Sequence, residues 1–281
     1  MKSPLYSADL TGRVVAITGG ARGIGAATAR AFAAAGAIVA IGDIDESLAG
    51  RNADQIGGVG FFLDVTDDAG VAAFLDAVER RLGPVDVMVN NAGIMPVVPV
   101  LEETGDSVRR QLAVNVAGVI SGTRHAAARM SSRGSGGHVV NIASAAGRMG
   151  FPGVATYSGS KFAVMGFTEA TSLELADTGI RFTCVLPGVV DTELTSGLRD
   201  HWLLRSCQPD DVAAAVVRAV RRGTRTVYVP RRLGPLAWAY GLLPAAARIR
   251  LMAALGAGHQ MLDADAHARS GYQKRIESPQ A

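Results

Sequence analysis

The chain has 281 residues, 48% of them hydrophobic and only 5% aromatic. That is enough apolar mass for one large domain or two small ones, and the abundant Gly and Ala favour helices packed on a sheet over an all-β fold. The formal charge of +3 hides an asymmetry: from Val212 to Leu262 there are eight arginines and no Lys, Asp or Glu, so the rest of the chain is net acidic and a nucleic-acid-binding surface spread over the whole protein is excluded.

In chain order, Met1 to Tyr6 lacks the apolar core of a signal peptide. Arg13 to Thr18 is short, apolar and β-branched, and reads as a buried strand. It runs into Gly19-Gly20-Ala21-Arg22-Gly23-Ile24-Gly25 and then an alanine-rich helical run, Ala26 to Ala35, closed by Gly36. Glycines let a backbone turn sharply and approach a pyrophosphate. The helix N-terminus offers it free N–H groups and a positive dipole end. A second strand, Ile38 to Gly42, ends at Asp43, about 20 residues past the turn, where a carboxylate can bind an adenosine ribose diol. A carboxylate there also repels a 2′-phosphate, which favours NAD over NADP. Arg22 pulls the other way, but an unpaired anion beside a phosphate costs more than an arginine free to swing into solvent. The competing reading of Asp43 is a helix cap or turn residue.

Gly60 to Leu63 is a third strand leading to Asp64 and Val65, and a helix fits Ala69 to Leu82. Val85 to Val89 is a fourth strand entering Asn90-Asn91-Ala92-Gly93, where small residues at a strand's carboxyl end bring backbone close to a ligand. One long helix is expected from Thr104 to Met130. Asn115 sits inside it between Val114 and Val116, and a buried asparagine needs partners: neighbouring backbone, or a proton relay. His138 to Ile142 is a fifth strand that delivers Ser144. A helix from Ala155 to about Thr178 carries Tyr157 and Lys161 one turn apart on one face. An ammonium beside a phenol favours the phenolate, which makes an acid/base for an alcohol oxygen. Arg181 to Leu186 is a sixth strand, ending at Pro187-Gly188-Val189-Val190-Asp191-Thr192. Its Cys184, with Cys207, makes neither a metal spacing nor a disulfide framework, so no metal is expected and a reducing compartment is the simplest inference.

Thr195 to Ser206, with Leu194 just before, is expected in a substrate lid at about 192–208. Leu198, Trp202, Leu203 and Leu204 would give that lid apolar surface, and His201 either touches substrate or has no role. Pro209-Asp210-Asp211 opens a helix to Arg222, and Thr226 to Val229 is a closing strand. Strands alternating with helices predict an α/β fold: a single-domain, Rossmann-type doubly wound parallel sheet of about seven strands with helices on both faces, over residues 1–230. Residues 231–281 form an extension. Its first part, 231–250, is apolar and bracketed by arginines, and too broken by Pro and Gly to span a bilayer. It suits an interfacial element on an anionic membrane, or a helix packed on the lid or on a neighbouring subunit. Asp263 to Ala281 reads as a polar tail.

Thr18 to Gly25, Asp64, Asn90-Asn91-Ala92-Gly93, Asn115, Ser144, Tyr157, Lys161 and Pro187-Gly188, in that order and spacing, resemble the short-chain dehydrogenase/reductase (SDR) family from about Leu10 to Val229. There is no departure at a catalytic position. The resemblance implies that Tyr157 is the general acid/base and Ser144 hydrogen-bonds the substrate oxygen. Lys161 would hold the nicotinamide ribose and lower the Tyr157 pKa, and Asn115 would anchor a water that passes the proton to solvent. It further implies a cofactor site in which Gly19, Arg22, Gly23, Ile24 and Gly25 form the pyrophosphate turn and Asp43 meets ribose. Asp64 and Val65 would meet adenine, and Asn91, with Ala92 and Gly93, would lie near the adenosine ribose. Pro187 and Val190 would flank the nicotinamide, and Thr192 would bind its carboxamide.

The expected activity is NAD(H)-dependent interconversion of an alcohol and its ketone or aldehyde, on a small apolar molecule of lipid-like, steroid-like or retinoid-like character. The resemblance implies a homodimer or homotetramer, and a place in the cytoplasm or at a membrane surface is expected. An NADPH-dependent 3-oxoacyl thioester reductase is the alternative that Asp43 opposes. A non-catalytic nucleotide-binding scaffold is the alternative that Ser144, Tyr157 and Lys161 oppose.

Overall fold

A computed structural model of the chain describes residues 9–198, 206–256 and 261–277. Seven strands form one parallel sheet: β1 (Val14–Thr18), β2 (Ile38–Asp43), β3 (Val59–Phe62), β4 (Val85–Asn90), β5 (Gly137–Ile142), β6 (Ile180–Pro187) and β7 (Thr226–Val229). Their order is β3-β2-β1-β4-β5-β6-β7. Most are near-continuous apolar runs, as burial on both faces requires. Alternate side chains feed opposite layers. Val15 and Ile17 pack with Phe32, Val216 and Val220 under α1 (Gly23–Ala34) and α7 (Pro209–Arg222). Val14 and Ala16 pack with Phe74, Leu75 and Met130 under α3 (Asp68–Leu82) and α5 (Gly118–Arg133). The strand order reverses between β1 and β4, which opens a crevice beyond the carboxyl ends of the strands.

Expected strands and observed strands agree to within a residue or two. The sequence pattern did not separate α2 (Glu46–Asp54), whose N-cap Asp45 accepts a hydrogen bond from the Leu48 N–H. The single long helix expected from Thr104 to Met130 is instead α4 (Gly105–Leu112), a π-helical turn (Ala113–Ala117) and α5. The widened turn is centred on Asn115. The Tyr157 helix, α6 (Ala155–Glu174), gives way to a 3-10 turn over Ala176–Thr178.

After β7 come α8 (Leu233–Leu242), α9 (Ala245–Ala254) and α10 (Ala266–Glu277). Leu233, Tyr240, Met252 and Met261 turn inward to join Met95, Phe151, Val154 and Tyr157 in an apolar cluster. The first helix of the stretch 231–250, α8, therefore packs on the main body through Leu233 and Tyr240. Leu194 and Leu198 of the expected lid join the same cluster. His201, Trp202, Leu203 and Leu204 lie outside the described residues.

The polar, partly ordered tail expected from Asp263 onward is, over its described part, mostly the helix α10. Its polarity concealed a buried face, because that face bonds backbone rather than apolar side chains. Arg269 is buried and donates to the carbonyls of Leu194 (3.1 Å), Ser196 (2.8 Å) and Met95 (2.9 Å).

Candidate active site

The glycine turn after β1 works by close approach. Gly19 and Gly23 have φ of 62° and 51°, in the left-handed region that favours glycine. A Cβ on Gly19 would lie 2.7 Å from the Ala92 Cα, and one on Gly25 would lie 2.2 Å from the Gly19 oxygen. The turn thus presses against the loop that comes after β4. The Thr18 hydroxyl accepts from the Asn91 and Ala92 N–H groups at 3.0 and 3.1 Å. The Asn91 side-chain amide donates to the Thr18 and Gly19 carbonyls at 3.0 and 2.8 Å. Asn91 lines the crevice, but its amide is engaged in holding the turn.

Asp43, at the end of β2, also does two things. It lines the crevice, while its oxygens accept from the Ala21 N–H (2.9 Å) and the Asp45 N–H (3.0 Å). These bonds meet the turn-residue reading, while the residue still borders the crevice. Arg22 is paired with Asp45 at 2.7 Å and lies 3.8 Å from Glu193. The Arg22 hydrogen bond is the main reason the Asp45 carboxyl sits below its ordinary pKa. Asp64 accepts at one oxygen from both the N–H (2.9 Å) and the hydroxyl (2.8 Å) of Thr66, and lines the crevice with Val65. On the other lip, Pro187, Val190 and Thr192 line the same space, and a Cβ on Gly23 would lie 3.2 Å from Thr192 Cγ2. The cavity of about 510 Å³ runs from Asp43 and Asp64 past the glycine turn, with its Arg22 and Ile24, to Ser144 and Tyr157. A dinucleotide fits this cradle: an added Cβ at Gly19 or Gly25 would collide with the walls that shape it, and the α1 N-terminus opens onto it.

At the inner end, Ser144 accepts from the Ala146 N–H (3.1 Å) at the start of a 3-10 turn. Tyr157 and Lys161 are both buried in the first turns of α6. The Lys161 ammonium donates to the Ile142 carbonyl at 2.9 Å and lies 5.6 Å from the Tyr157 ring centroid. Burial pulls Lys161 down to about 8. Burial also pushes the Tyr157 phenol up to about 12, against a smaller lowering by its hydrogen bond to Ser144. Among the protein's own groups, desolvation is the largest influence on Tyr157.

Asn115 is fully buried, accepting from the Ile94 N–H (2.8 Å) and donating to the Ile94 carbonyl (2.9 Å) and the Ser160 hydroxyl (3.1 Å). Its side chain is thus satisfied mainly by neighbouring backbone. A Cβ on Gly93 would lie 3.4 Å from Asn115 Oδ1 and 3.5 Å from Lys161 Nζ, so glycine leaves open the space between them.

The sequence pattern suggested no role for Thr18, Ser160 or the Ile142 carbonyl, and gave no sign of Arg269 and Tyr272 of α10. Thr18 had a signal, a hydroxyl at a strand end before a glycine turn. The α10 residues had none nearby, since Tyr272 meets Met95, 177 positions away.

A cradle for a dinucleotide, ending at a serine–tyrosine pair against an apolar wall, defines the class as a nucleotide-dependent oxidoreductase. The family model described as short chain dehydrogenase matches residues 13–202, and the chain belongs to that family. It is 36% identical over 233 residues to a probable oxidoreductase, EphD, of Mycobacterium tuberculosis, a match covering 74% of this chain and 39% of that protein. The chain therefore spans well under half the length of that relative. It is 39% identical over 195 residues to sorbitol dehydrogenase of Cereibacter sphaeroides, covering 69% of this chain and 73% of that one. Among solved structures it is similar to a short chain dehydrogenase/reductase from Burkholderia phymatum in complex with NAD, with a TM-score of 0.76 at 25% identity, over 87% of this chain and 96% of that one.

Proposed function

We propose that the protein is an NAD(H)-dependent dehydrogenase that interconverts an alcohol and its carbonyl on a substrate with an apolar body. The observation that carries this is that the Ser144 and Tyr157 hydroxyls lie within one cavity with the glycine cradle. NAD supplies, when bound, the hydride acceptor and a positive charge that lowers the Tyr157 pKa. Tyr157 takes the carbinol proton as the carbon–hydrogen bond breaks, and returns it in the reverse direction. Ser144 orients the substrate oxygen. Lys161, protonated at neutral pH by its pKa of about 8, holds the nicotinamide ribose. Asn115 fixes the Ile94 backbone beside the proton's exit through the opening left by Gly93.

Support for NAD over NADP comes from Asp43 and Asp45 together. Arg22, the group that would meet a 2′-phosphate, is already compensated by Asp45 at 2.7 Å. This also disfavours the NADPH-dependent 3-oxoacyl thioester reductase. Support for an apolar substrate body comes from Met95, Phe151, Val154, Leu194 and Met261 in the cavity wall. A panel of short, alicyclic and long-chain alcohols with NAD and with NADP, followed at the NADH absorbance, tests the reading. Turnover with NAD that vanishes in Tyr157→Phe is expected; equal turnover in Tyr157→Phe and wild type would refute it.

Two associations belong to the same reading. Leu112, Phe162 and Leu173 are exposed on α4 and α6, which supports a homo-oligomer formed through these helices. A monomer by light scattering would refute that. Trp238, Leu242 and Ile249 are exposed on α8 and α9 beside Arg231, Arg232 and Arg250. These three arginines have no ion pair among the described residues, and the nearby chain carries no acid, so the complementary surface is anionic lipid. Among the described residues no helix is long and apolar enough to cross a membrane. Liposomes rich in anionic lipid should sediment the protein at low salt and release it at high salt; no capture at low salt would refute the contact.

A further inference from the structure

α10 places Arg269, Tyr272 and Ile276 at i, i+3 and i+7, so they share one face. Arg269 joins two walls of the cavity, because its three carbonyl partners come from the segment after Thr192 (Leu194, Ser196) and the segment after Gly93 (Met95). Its guanidinium lies 5.4 Å from the centroid of the Tyr272 ring. That contact, and a hydrogen bond from the Met95 N–H to the phenol oxygen at 2.8 Å, hold the Tyr272 side chain in one place.

Tyr272 is buried, and it lines the same cavity as Ser144 and Tyr157. A phenol both accepts and donates, and buried hydroxyls find partners for both. The Tyr272 oxygen has its donor in Met95, but its own proton has no acceptor among the described residues. Burial holds the phenol well above its ordinary pKa, so it keeps that proton throughout the neutral range. The apolar part of the wall it shares is built from Met95, Phe151, Val154 and Met261, in a cluster that also holds Tyr157.

We infer that Tyr272 is a second substrate-binding donor, and that the protein selects alcohols carrying an oxygen acceptor, such as a ketone, on the far side of an apolar body from the carbinol. The inference rests on the dehydrogenase reading and deepens it. Ser144 and Tyr157 take the reacting oxygen, and Tyr272 takes the remote one. A donor fixed in an apolar wall discriminates strongly, because a substrate without the remote oxygen leaves it unpaired in the closed complex. Arg269 is a positioning residue: it touches no substrate and aligns the two walls and the phenol.

The test compares matched pairs of secondary alcohols with NAD: cyclohexanol against cyclohexanol bearing a ketone across the ring, and a two-ring alcohol against its remote-ketone counterpart. The quantity read is the ratio of kcat/KM within a pair. Wild type should favour the keto member of at least one pair by about tenfold or more, and Tyr272→Phe should cut that ratio about tenfold. Arg269→Lys should lower both members of a pair alike and leave the ratio standing. An unchanged ratio in an active Tyr272→Phe would overturn the inference while leaving the dehydrogenase reading intact. So would a wild-type ratio near one in every pair, which decides the matter even if Tyr272→Phe does not fold. No oxidation of any member by NAD-loaded wild type would overturn the dehydrogenase reading and the inference with it.

Discussion

Replacing Gly25 with alanine probes the close approach on which the cofactor cradle depends. The new Cβ would lie 2.2 Å from the Gly19 oxygen, 2.5 Å from Asn91 Nδ2 and 2.9 Å from Gly20 Cα. Ordinary carbon contacts are about 3.5–4.0 Å, so the start of α1 must retreat from the turn by roughly 1 Å. Nothing on the other side gives way. Two of the three atoms are backbone, and the Asn91 amide is tied to the Thr18 and Gly19 carbonyls at 3.0 and 2.8 Å. Overpacking costs about 1–3 kcal/mol. Disturbing the two amide bonds adds about 1 kcal/mol each. A loss of about 3–5 kcal/mol lowers the melting temperature of a chain this size by roughly 10 °C. NADH affinity should fall about tenfold or more, because the N–H groups at the start of α1 leave their places. The control is Gly50→Ala in α2, where a Cβ meets nothing within 4 Å. There alanine should stabilise by up to about 1 kcal/mol. Melting curves and fluorescence titration with NADH read both variants. A Gly25→Ala protein that melts and binds NADH like wild type would refute the argument.

His138 in β5 is held neutral by burial and secondarily by Arg181, with its pKa pulled from 6.5 to about 3. The Thr183 hydroxyl donates to the Thr224 carbonyl (2.6 Å), so His138 Nε2, at 2.8 Å from that hydroxyl, is the donor. Between pH 3 and 6.5 the unfolded state binds the extra proton, so stability falls as pH drops through that window. His138→Gln should narrow the difference in urea-melt stability between pH 7 and pH 4.5 by about 2–3 kcal/mol, and an unchanged difference would count against it. Asn115→Ala strips the Ile94 backbone and Ser160 of their partner, and should cost about 2–3 kcal/mol in the same melts; a neutral substitution would contradict the clamp. Lys161, with a folded pKa of about 8 against 10.5, costs stability while it is charged, so wild-type stability should climb as pH rises from about 8. Lys161→Met should remove that climb and gain roughly 1–2 kcal/mol at pH 7 while losing turnover, and a less stable variant at pH 7 would refute the sign.

The parts of the site that could be read from the sequence are those written in local spacing. Gly19 to Gly25 sit between a strand and a helix, and Tyr157 and Lys161 are four apart. Ser144 and Asp43 end strands, where the parallel sheet delivers side chains to one crevice. What could not be read depends on who meets whom at long range. Asn91 looked like a ligand-facing residue, yet its amide points back to Thr18 and Gly19 because the two loops touch. Lys161 looked like the group that tunes Tyr157; the largest influence among the protein's own groups is depth of burial, and burial belongs to the whole fold. Arg269 and Tyr272 lay unnoticed in a segment read only as a polar tail, because a helix whose buried face bonds carbonyls has no apolar period to detect.

The π-helical turn at Ala113–Ala117 lets α4 and α5 stay one continuous run while one turn carries an extra residue. The widened turn absorbs that residue locally, so the helices on either side keep nearly the phase of one α-helix. Deleting one residue at Val114 would restore a regular helix, with α5 still locked in the core through Val119, Ala126 and Met130, and would close the widened turn around Asn115. The same deletion would swing the asparagine off Ile94. This segment should therefore tolerate many point substitutions on its exposed side but no single-residue deletion, and it is a place where reading-frame-preserving indels would be purged.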